Sequence, residues 1–347
     1  MLRVGIIGCG KIAQVRHAPE YRANAHCELT AFYDPVRERA DALAAQHQGR
    51  AFDSVEALLG SGVDAVSVCA ANAAHAEICI KAMEMGVHVL CEKPMAVTLE
   101  ACERMAATAR RTHTRLVIGH NQRLTATHRK ARECIARGDI GDVLRFQTCF
   151  SHAGPERWTG RKDTWFFSKD IAALGALGDL GIHKVDLIHF LLGEPVVRVF
   201  AKLYTADKKD ADGRMVGVDD NALCTMQTRS GVLGQMQASW TNYGPEENAT
   251  VIYGSKGVLR CYADPLHSLI VDFANGDRKA YALDAIATNA EQLAGQWHST
   301  GVVDAFVQSI LRREASFCDA QDALLAMRAV FAAQRSSALG EEVEIRQ

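Results

Sequence analysis

The sequence has no excess of charge of either sign. Its 347 residues carry 39 Lys and Arg against 41 Asp and Glu, a formal net charge of −2. Proteins that bind nucleic acid or anionic membranes usually carry a basic patch, which this balance does not favour. The longest apolar runs are also far shorter than the ~20 residues of a membrane span. We therefore expect neither a nucleic-acid nor a membrane partner.

The sequence also lacks any C-x-x-C pair. Its eleven cysteines are odd in number, and several lie inside predicted strands or helices, such as Cys69, Cys79 and Cys91. This usage predicts buried, reduced thiols in the cytoplasm and neither a disulfide framework nor a zinc site. The opening MLRVGIIGCG enters a structured pattern at once, which predicts no signal peptide. We find no internal repeat and no low-complexity tract.

What is present is a regular alternation of strands and helices up to residue 121. Strands separated by helices of this length predict βαβ units, and therefore a doubly wound parallel sheet of the Rossmann type. The predicted strands are Leu2–Gly8, Glu28–Tyr33, Ala65–Cys69, His88–Cys91 and Leu116–Gly119, and the predicted helices are Val36–Gln46, Val55–Leu59, His75–Met85 and Leu99–Arg111.

The first strand ends in a glycine turn, Gly8-Cys9-Gly10-Lys11-Ile12-Ala13. Glycines at this point let the backbone approach a pyrophosphate, which then lies at the positive end of the following helix. Asp34 follows the second strand, 21 residues after Ala13, where an acid binds the adenosine ribose hydroxyls. An acid repels a 2′-phosphate, so NAD is favoured. Arg37 and Arg39 follow closely and can accommodate that phosphate, so NADP stays open.

Ligands of such sheets bind beyond the carboxyl ends of the strands. Glu92-Lys93-Pro94 comes directly after a buried strand, so Lys93 should project at the nicotinamide end. Its X-Pro bond can also be cis. The alternative is a surface lysine in a turn. Asn72 and His75 follow another strand and can either face the cofactor or cap the next helix.

After residue 121 the pattern changes. Helix Thr125–Ala136 precedes strands that alternate apolar and polar residues, which predicts a mostly antiparallel sheet with helices on one face. The strands are Val143–Phe150, Val196–Tyr204, Asn221–Thr228, Gly234–Trp240, Ala249–Tyr253 and Gly257–Cys261, followed by helices at about Thr288–Arg312 and Asp319–Ser336 and a short strand at Val343–Ile345. We expect two domains, 1–121 for the dinucleotide and 122–347 for substrate and oligomerisation, with the terminal helix able to pack back on the first.

Leu174–Gly193 contains a helix from Gly178 onward that is apolar in nearly every direction. Such a helix is normally buried. Asp179, His183 and Asp186 fall at i, i+4 and i+7 on one stripe of it. Buried ionisable groups are unfavourable unless paired. The stripe is therefore either a structural Asp–His pair or part of a site.

The ordered motifs resemble one family, the glucose–fructose oxidoreductase, inositol dehydrogenase and rhizopine-catabolism (Gfo/Idh/MocA) oxidoreductases. The resemblance covers essentially the whole chain. It rests on GCGKIA at Gly8–Ala13, AANAAHAE at Ala70–Glu77, CEKPMA at Cys91–Ala96, GHNQR at Gly119–Arg123, DTW at Asp163–Trp165 and GALGDLGIHKVD at Gly175–Asp186. The sequence departs from the family pattern at Ala71, Phe166, Leu174 and Gly178, where we expect effects on pocket shape only.

The resemblance implies a set of site residues. Lys93, Asp179 and His183 would be catalytic. The cofactor would contact Gly8, Cys9, Gly10, Lys11, Ile12, Asp34, Arg39, Ala71, Asn72, His75, Glu92, Lys93 and Asn121. The substrate, a polyol, inositol or sugar derivative, would contact Lys93, Arg123, His152, Asp163, Trp165, Asp179 and His183, while Asp186 would be structural. The chain would form a homodimer or homotetramer through its second sheet.

The chemistry of alcohol oxidation suits these residue types. His183 is a natural base because its ordinary pKa lies near neutrality. Cationic Lys93 would stabilise the developing alkoxide. Two alternatives remain: a non-catalytic sugar sensor that binds NAD(P), and an enzyme that retains its nicotinamide and returns the hydride.

Overall fold

The computed structural model describes residues 1–286 and 299–346. Within them the chain forms two compact units, one of residues 1–121 with 299–324 and one of 122–286 with 325–346. The change of pattern at residue 121 coincides with the point where the chain passes from the first unit to the second. The later segment 299–324 groups with the first unit, so the second unit is not continuous in sequence.

The first unit is built on a six-stranded sheet in the order β3-β2-β1-β4-β5-β6, and all of its neighbouring strands are parallel. This confirms the predicted Rossmann architecture. Its strands are β1 (Leu2–Ile7), β2 (Cys27–Tyr33), β3 (Arg50–Ala51), β4 (Ala65–Val68), β5 (His88–Cys91) and β6 (Leu116–Ile118). Its helices are α1 (Ala18–Ala23), α2 (Arg37–His47), α3 (Val55–Leu59), α4 (His75–Glu84) and α5 (Leu99–Thr112).

Local chemistry explains several boundaries of these elements. All four residues of β4 are buried, as expected for a strand covered on both faces. The side chains of Ser54 and Thr98 accept hydrogen bonds from Ala57 N and Ala101 N and so cap α3 and α5. The turn after the glycine loop differs from the prediction, because Ala13–His17 is a π-helical turn that precedes α1.

The second unit is built on a nine-stranded sheet in the order β14-β13-β12-β11-β7-β10-β9-β8-β15, in which only the β10–β7 pair is parallel. The predicted mostly antiparallel sheet is thus confirmed. Its strands are β7 (Val143–Ser151), β8 (Val196–Tyr204), β9 (Asn221–Thr228), β10 (Leu233–Ser239), β11 (Thr250–Gly254), β12 (Gly257–Cys261), β13 (Leu269–Phe273), β14 (Arg278–Tyr281) and β15 (Val343–Glu344).

The helices after β6 are α6 (Ala126–Ala136), α7 (Pro155–Thr159), α8 (Lys169–Ala172), α9 (Ile182–Leu192), α10 (Val302–Arg312) and α11 (Ala320–Leu339). The strand alternation predicted for Val196–Tyr204 is present, since Val199 and Ala201 are buried and Arg198 and Lys202 are exposed. Strands β13 and β14 were not predicted. Residues 288–298 of the helix predicted at Thr288–Arg312 lie outside the described residues.

Two further features are the state of the cysteines and the length of the helices. All eleven cysteines, each within the described residues, are free, and ten of them are buried. Across residues 1–286 and 299–346, no helix combines the length and apolar character needed to cross a bilayer.

Candidate functional site

The glycine loop of the first unit has the geometry that a dinucleotide pyrophosphate requires. Gly8 has a φ of +92°, and a Cβ there would lie 2.5 Å from Ala70 N, so only glycine fits. A Cβ on Gly10 would meet nothing within 4 Å, which leaves open space beside the loop. Lys11 is exposed and Ile12 half-buried at the start of the following turn. These residues fit an NAD pyrophosphate.

Asp34 lies at the end of β2 and is tied to this loop. Its carboxylate accepts hydrogen bonds from Cys9 N at 2.8 Å and Val36 N at 2.9 Å. Arg39 Nη1 lies 3.7 Å from the same carboxylate. Burial, followed by the Asp34 charge, raises the pKa of the Cys9 thiol to about 12, so Cys9 stays a neutral thiol. The acid is therefore fixed against the loop at the position predicted for the ribose.

Lys93 lies just beyond β5, at the carboxyl edge of the parallel sheet. Of Cys91–Met95 it alone is not buried. The Lys93–Pro94 peptide bond is cis. Glu92, which we predicted at the cofactor, is 7% exposed, and its Oε1 lies 2.8 Å from His17 Nε2. Burial alone would raise the pKa of Glu92, but His17, Arg16 and Lys93 lower it to about 2.

His75 is fully buried at the start of α4. Its Nδ1 lies 2.9 Å from Pro94 O and its Nε2 lies 3.0 Å from Ala70 O. The N-cap residue of α4 is Ala74, without a side-chain hydrogen bond, so the capping alternative for His75 is wrong. Both ring nitrogens contact protein carbonyls, and a contact of His75 with the cofactor stays a prediction. Of the other predicted cofactor residues, Asn72 is buried and Ala71 and Asn121 are half-buried.

In the second unit, Asp179 and His183 lie on the buried segment that was predicted to carry them. Asp179 is in a π-helical turn, Leu177–Gly181, and His183 is in the first turn of α9. They are only 9% and 8% exposed. The predicted helix is therefore buried as expected, but its first turn is π rather than α. Such turns are frequent at functional sites.

Two residues that sequence reasoning missed hold this turn. Trp240 Nε1 donates to Asp179 Oδ2 at 3.0 Å, and Trp240 is fully buried. Asp219 accepts hydrogen bonds from Gly175 N at 2.9 Å and Leu177 N at 2.8 Å. Burial raises the pKa of Asp219 to about 6. The predicted strand Gly234–Trp240 placed Trp240 among its inward-facing residues, and that was the signal that could have identified it.

Aromatic rings surround the two candidate catalytic residues of this unit. The Phe150 ring centroid lies 5.8 Å from that of His183 and 5.9 Å from that of His152. His152 Nδ1 accepts a hydrogen bond from Gly154 N at 2.9 Å. Trp165 is half-buried, and its ring stacks on Phe166 at 4.0 Å. The predicted pocket residues His152 and Trp165 thus belong to an aromatic environment.

Two other predicted substrate residues are engaged elsewhere. Arg123 forms a buried two-point ion pair with Asp186, at 2.8 and 2.7 Å. This supports a structural role for Asp186 and commits the Arg123 guanidinium to it. Asp163 is exposed and pairs with Arg161 at 2.6 Å. An exposed pair of this kind contributes little to stability, and a substrate contact of Asp163 stays a prediction.

Comparison with known proteins identifies the family. The oxidoreductase family with an NAD-binding Rossmann fold matches residues 2–120, and the GFO/IDH/MocA C-terminal domain matches residues 128–260. The chain is 31% identical over 261 residues to 1,5-anhydro-D-fructose reductase of Ensifer adhaerens, covering 75% of each protein. It is 28% identical over 358 residues to D-glucoside 3-dehydrogenase of Escherichia coli, covering 99% of this chain and 97% of that protein.

Solved structures show the same fold. The crystal structure of an oxidoreductase domain protein from Kribbella flavida superimposes with a TM-score of 0.87 at 26% identity, covering 100% of this chain and 99% of that one. With both halves matched in order, the fold shared along the full length and the dinucleotide loop in place, this chain belongs to the Gfo/Idh/MocA family of NAD-binding oxidoreductases.

Proposed function

We propose that this protein is an NAD-dependent dehydrogenase that oxidises a secondary hydroxyl of a sugar, glycoside or polyol. The observation that supports the proposal is the position and exposure of Lys93. Lys93 is the one residue of Cys91–Met95 that is not buried, and it lies at the carboxyl edge of the parallel sheet, where such sheets bind their ligands. The relatives reported above are named as enzymes of a glucoside and of an anhydro sugar.

Bound NAD would supply the acceptor for the hydride that leaves the carbinol carbon. In this proposal His183 takes the hydroxyl proton as general base. The Lys93 ammonium stabilises the negative charge that develops on the substrate oxygen. Asp179, held by Trp240, orients the hydroxyl as a hydrogen-bond acceptor.

The experiment is turnover of the purified full-length chain with excess NAD and a panel of glucosides, anhydro sugars and inositols. Accumulating NADH supports the dehydrogenase. Cofactor that binds without any turnover indicates the sugar sensor, and nicotinamide that stays with the protein through gel filtration indicates the hydride-return cycle. NADP is tested in parallel, because Arg39 lies beside Asp34.

Two substitutions test the assigned residues. We expect Lys93→Ala and His183→Ala each to lower kcat by roughly 10²–10⁴-fold, the usual contribution of a positioned acid–base group, with the Kd for NAD nearly unchanged. Lys81→Ala, which removes a lysine paired with Glu56 on the surface of the same unit, is the control. Near-normal turnover of either variant would remove that residue from the catalytic assignment.

We also propose that the chain assembles with copies of itself through the outward face of the second sheet. On three adjoining strands, β8, β9 and β10, this face carries Phe200, Leu223 and Leu233, which are 46%, 45% and 53% exposed. Glutamines, threonines and a few cations lie between them. A face whose exposed groups are mostly apolar or neutral polar can pack on its own copy with little charge repulsion.

A further inference from the structure

The peptide that carries Lys93 is held from two sides by buried imidazoles. Glu92 and Pro94, on either side of the lysine, are both buried, and each is bonded to a different histidine. Neither histidine belongs to the predicted catalytic set. Both lie in the first unit, whose parallel sheet positions the loop.

His17 is at the end of the π-helical turn that follows the glycine loop, and its side chain is 1% exposed. Its Nε2 donates to Glu92 Oε1 across 2.8 Å, and its Nδ1 lies 3.0 Å from Ser67 Oγ on β4. Tyr21 OH lies 2.9 Å from the same Ser67 oxygen. Ser67 on β4 thus orients the imidazole, which hydrogen-bonds to the carboxylate of Glu92, the residue before Lys93.

The pKa shifts of His17 and Glu92 both favour an ion pair between them. Burial alone would lower the pKa of His17, but the Cys69 sulfur and the Glu92 carboxylate raise it well above its ordinary value. The lowered pKa of Glu92 agrees with an ionised carboxylate. A buried pair of this kind is strongly destabilised when one partner is removed, because the other charge is left uncompensated. Arg16 Nη1 also lies 3.8 Å from Glu92 Oε1, but the shorter contact is with His17, which therefore orients the carboxylate. Glu92 Oε2 in turn accepts from Lys93 N at 3.3 Å.

His75 holds the other side. Its two nitrogens face the carbonyl oxygens of Pro94 and Ala70, and carbonyls only accept hydrogen bonds. A neutral imidazole donates to one of them in either tautomer. Burial is the largest effect on the pKa of His75 and lowers it, which favours the neutral ring. The ring fills the space between the loop after β4 and the loop after β5.

We propose that His17 and His75 are positioning residues for Lys93, because together they tie the residues on both sides of the lysine to the end of β4. His17 acts through the Glu92 carboxylate, and His75, in the tautomer that carries its proton on Nδ1, acts through the Pro94 carbonyl. Since His17 ends the turn that follows the glycine loop, the same contact links the dinucleotide loop to the lysine. This inference rests on the proposed function of Lys93.

The test compares three glutamine substitutions in the full-length protein. His17→Gln and His75→Gln each keep a hydrogen-bonding group but lose the imidazole geometry. His88→Gln is the matched control, because His88 begins β5, the strand that leads to Glu92, and bonds to Arg115 N away from the loop. We expect the first two to lower kcat about 10–100-fold, as a displaced reacting group does. KM and the Kd for NAD should stay within about 3-fold of wild type, because the glycine loop is retained.

A second readout does not require activity. Lysines are reductively methylated with ¹³C-formaldehyde, and the Lys93 methyl signal is assigned by its loss in Lys93→Arg. In wild type and His88→Gln we expect one sharp signal, and in His17→Gln and His75→Gln a shifted or broadened one. If wild type oxidises no alcohol while these spectra differ as expected, the proposed function fails and the positioning role stands.

The positioning role is overturned if both variants match His88→Gln in kcat and in the Lys93 signal. Where His17→Gln does not fold, Ser67→Ala replaces it, because it removes the oxygen that orients the His17 ring and leaves the ion pair intact. An equal loss of kcat and of NAD binding in these variants would likewise contradict the proposal, since it would indicate general damage to the unit.

Discussion

Asp34 shows how one side chain can serve both the fold and ligand choice. Its two oxygens accept the Cys9 and Val36 backbone N–H groups, so the carboxylate joins the glycine loop to the start of the segment that leads into α2. Because both of its oxygens are held, the carboxylate cannot rotate away from the 2′-phosphate of NADP. The neighbouring Arg39 offsets part of that repulsion. We therefore expect the balance between NAD and NADP to depend on this fixed acid and on the partly exposed Arg39 guanidinium beside it.

We expect Asp34→Ala to reduce the preference for NAD over NADP by about 10–100-fold, the contribution of a hydrogen bond to a charged group. Affinity for both cofactors should fall, because the loop also loses an acceptor, so the ratio of the two Kd values is the measurement. Asp41→Ala is the control, since Asp41 is an exposed acid on α2 that pairs with Arg37. An unchanged ratio would show that Asp34 does not discriminate the ribose.

At the scale of one element, the buried segment formed by the Leu177–Gly181 turn and α9 carries several ionisable side chains, and their surroundings differ. Asp186 is paired with Arg123, and Asp179 accepts from Trp240. Lys184 is fully buried, and its Nζ lies 3.3–3.5 Å from neutral oxygens of Gln122, Asn248 and Thr250. Contacts of that length are weak. The lysine is thus the least compensated charge among these residues.

Lys184 gives a prediction about pH. Burial lowers its pKa from 10.5 to about 8, against smaller opposing effects of Cys149, Cys261 and Glu246. Between those two values the unfolded chain binds a proton at this lysine that the folded chain does not. Stability from this group therefore rises with pH across that window. Below this pH window the buried lysine is charged, and the free energy of unfolding is about 3 kcal/mol lower than above the window.

We expect Lys184→Met to melt at a higher temperature than wild type near neutral pH, because an apolar side chain of similar size replaces a poorly compensated charge. The difference in apparent melting temperature should shrink as the pH is raised from about 8 to about 10. Lys256→Met, in the exposed turn between β11 and β12, controls for the loss of any lysine. A difference that stays constant with pH would contradict this account.

At the scale of the whole molecule, the outward face of the second sheet sets the expected assembly. Lys202 pairs with Leu223, and Leu223 pairs with Gln237, so apolar and polar groups alternate across neighbouring strands. Such a face differs from an ordinary solvated surface because each of three neighbouring strands exposes a large apolar residue on it.

We expect light scattering to give a dimer or tetramer for the wild-type chain. Leu223→Glu should shift it toward the monomer, because a buried unpaired carboxylate is unfavourable at an interface. Leu266→Glu is the control, since Leu266 is 77% exposed in the turn between β12 and β13. A wild-type monomer, or an equal effect of both substitutions, would contradict assembly through this face.

The sequence by itself determined the two architectures. The periodicity of apolar residues and the placement of glycines predicted one parallel sheet and one mostly antiparallel sheet. This was possible because the side-chain periods of strands and helices are local properties of the sequence. It also predicted Asp34 and Lys93 at the ends of strands, since the carboxyl ends of parallel strands lie at one edge. The order of the motifs predicted the family, and the comparisons confirm it.

Only the tertiary structure decided which buried polar groups meet. His17 and Glu92 are 75 residues apart, and Trp240 and Asp179 are 61 apart. Hydrogen bonds over such separations depend on strand order and register, which no local pattern encodes. The π-helical turns, the engagement of Arg123 by Asp186 and the burial of Lys184 follow for the same reason. Local periodicity fixes an element, while the partners of its side chains are fixed by packing.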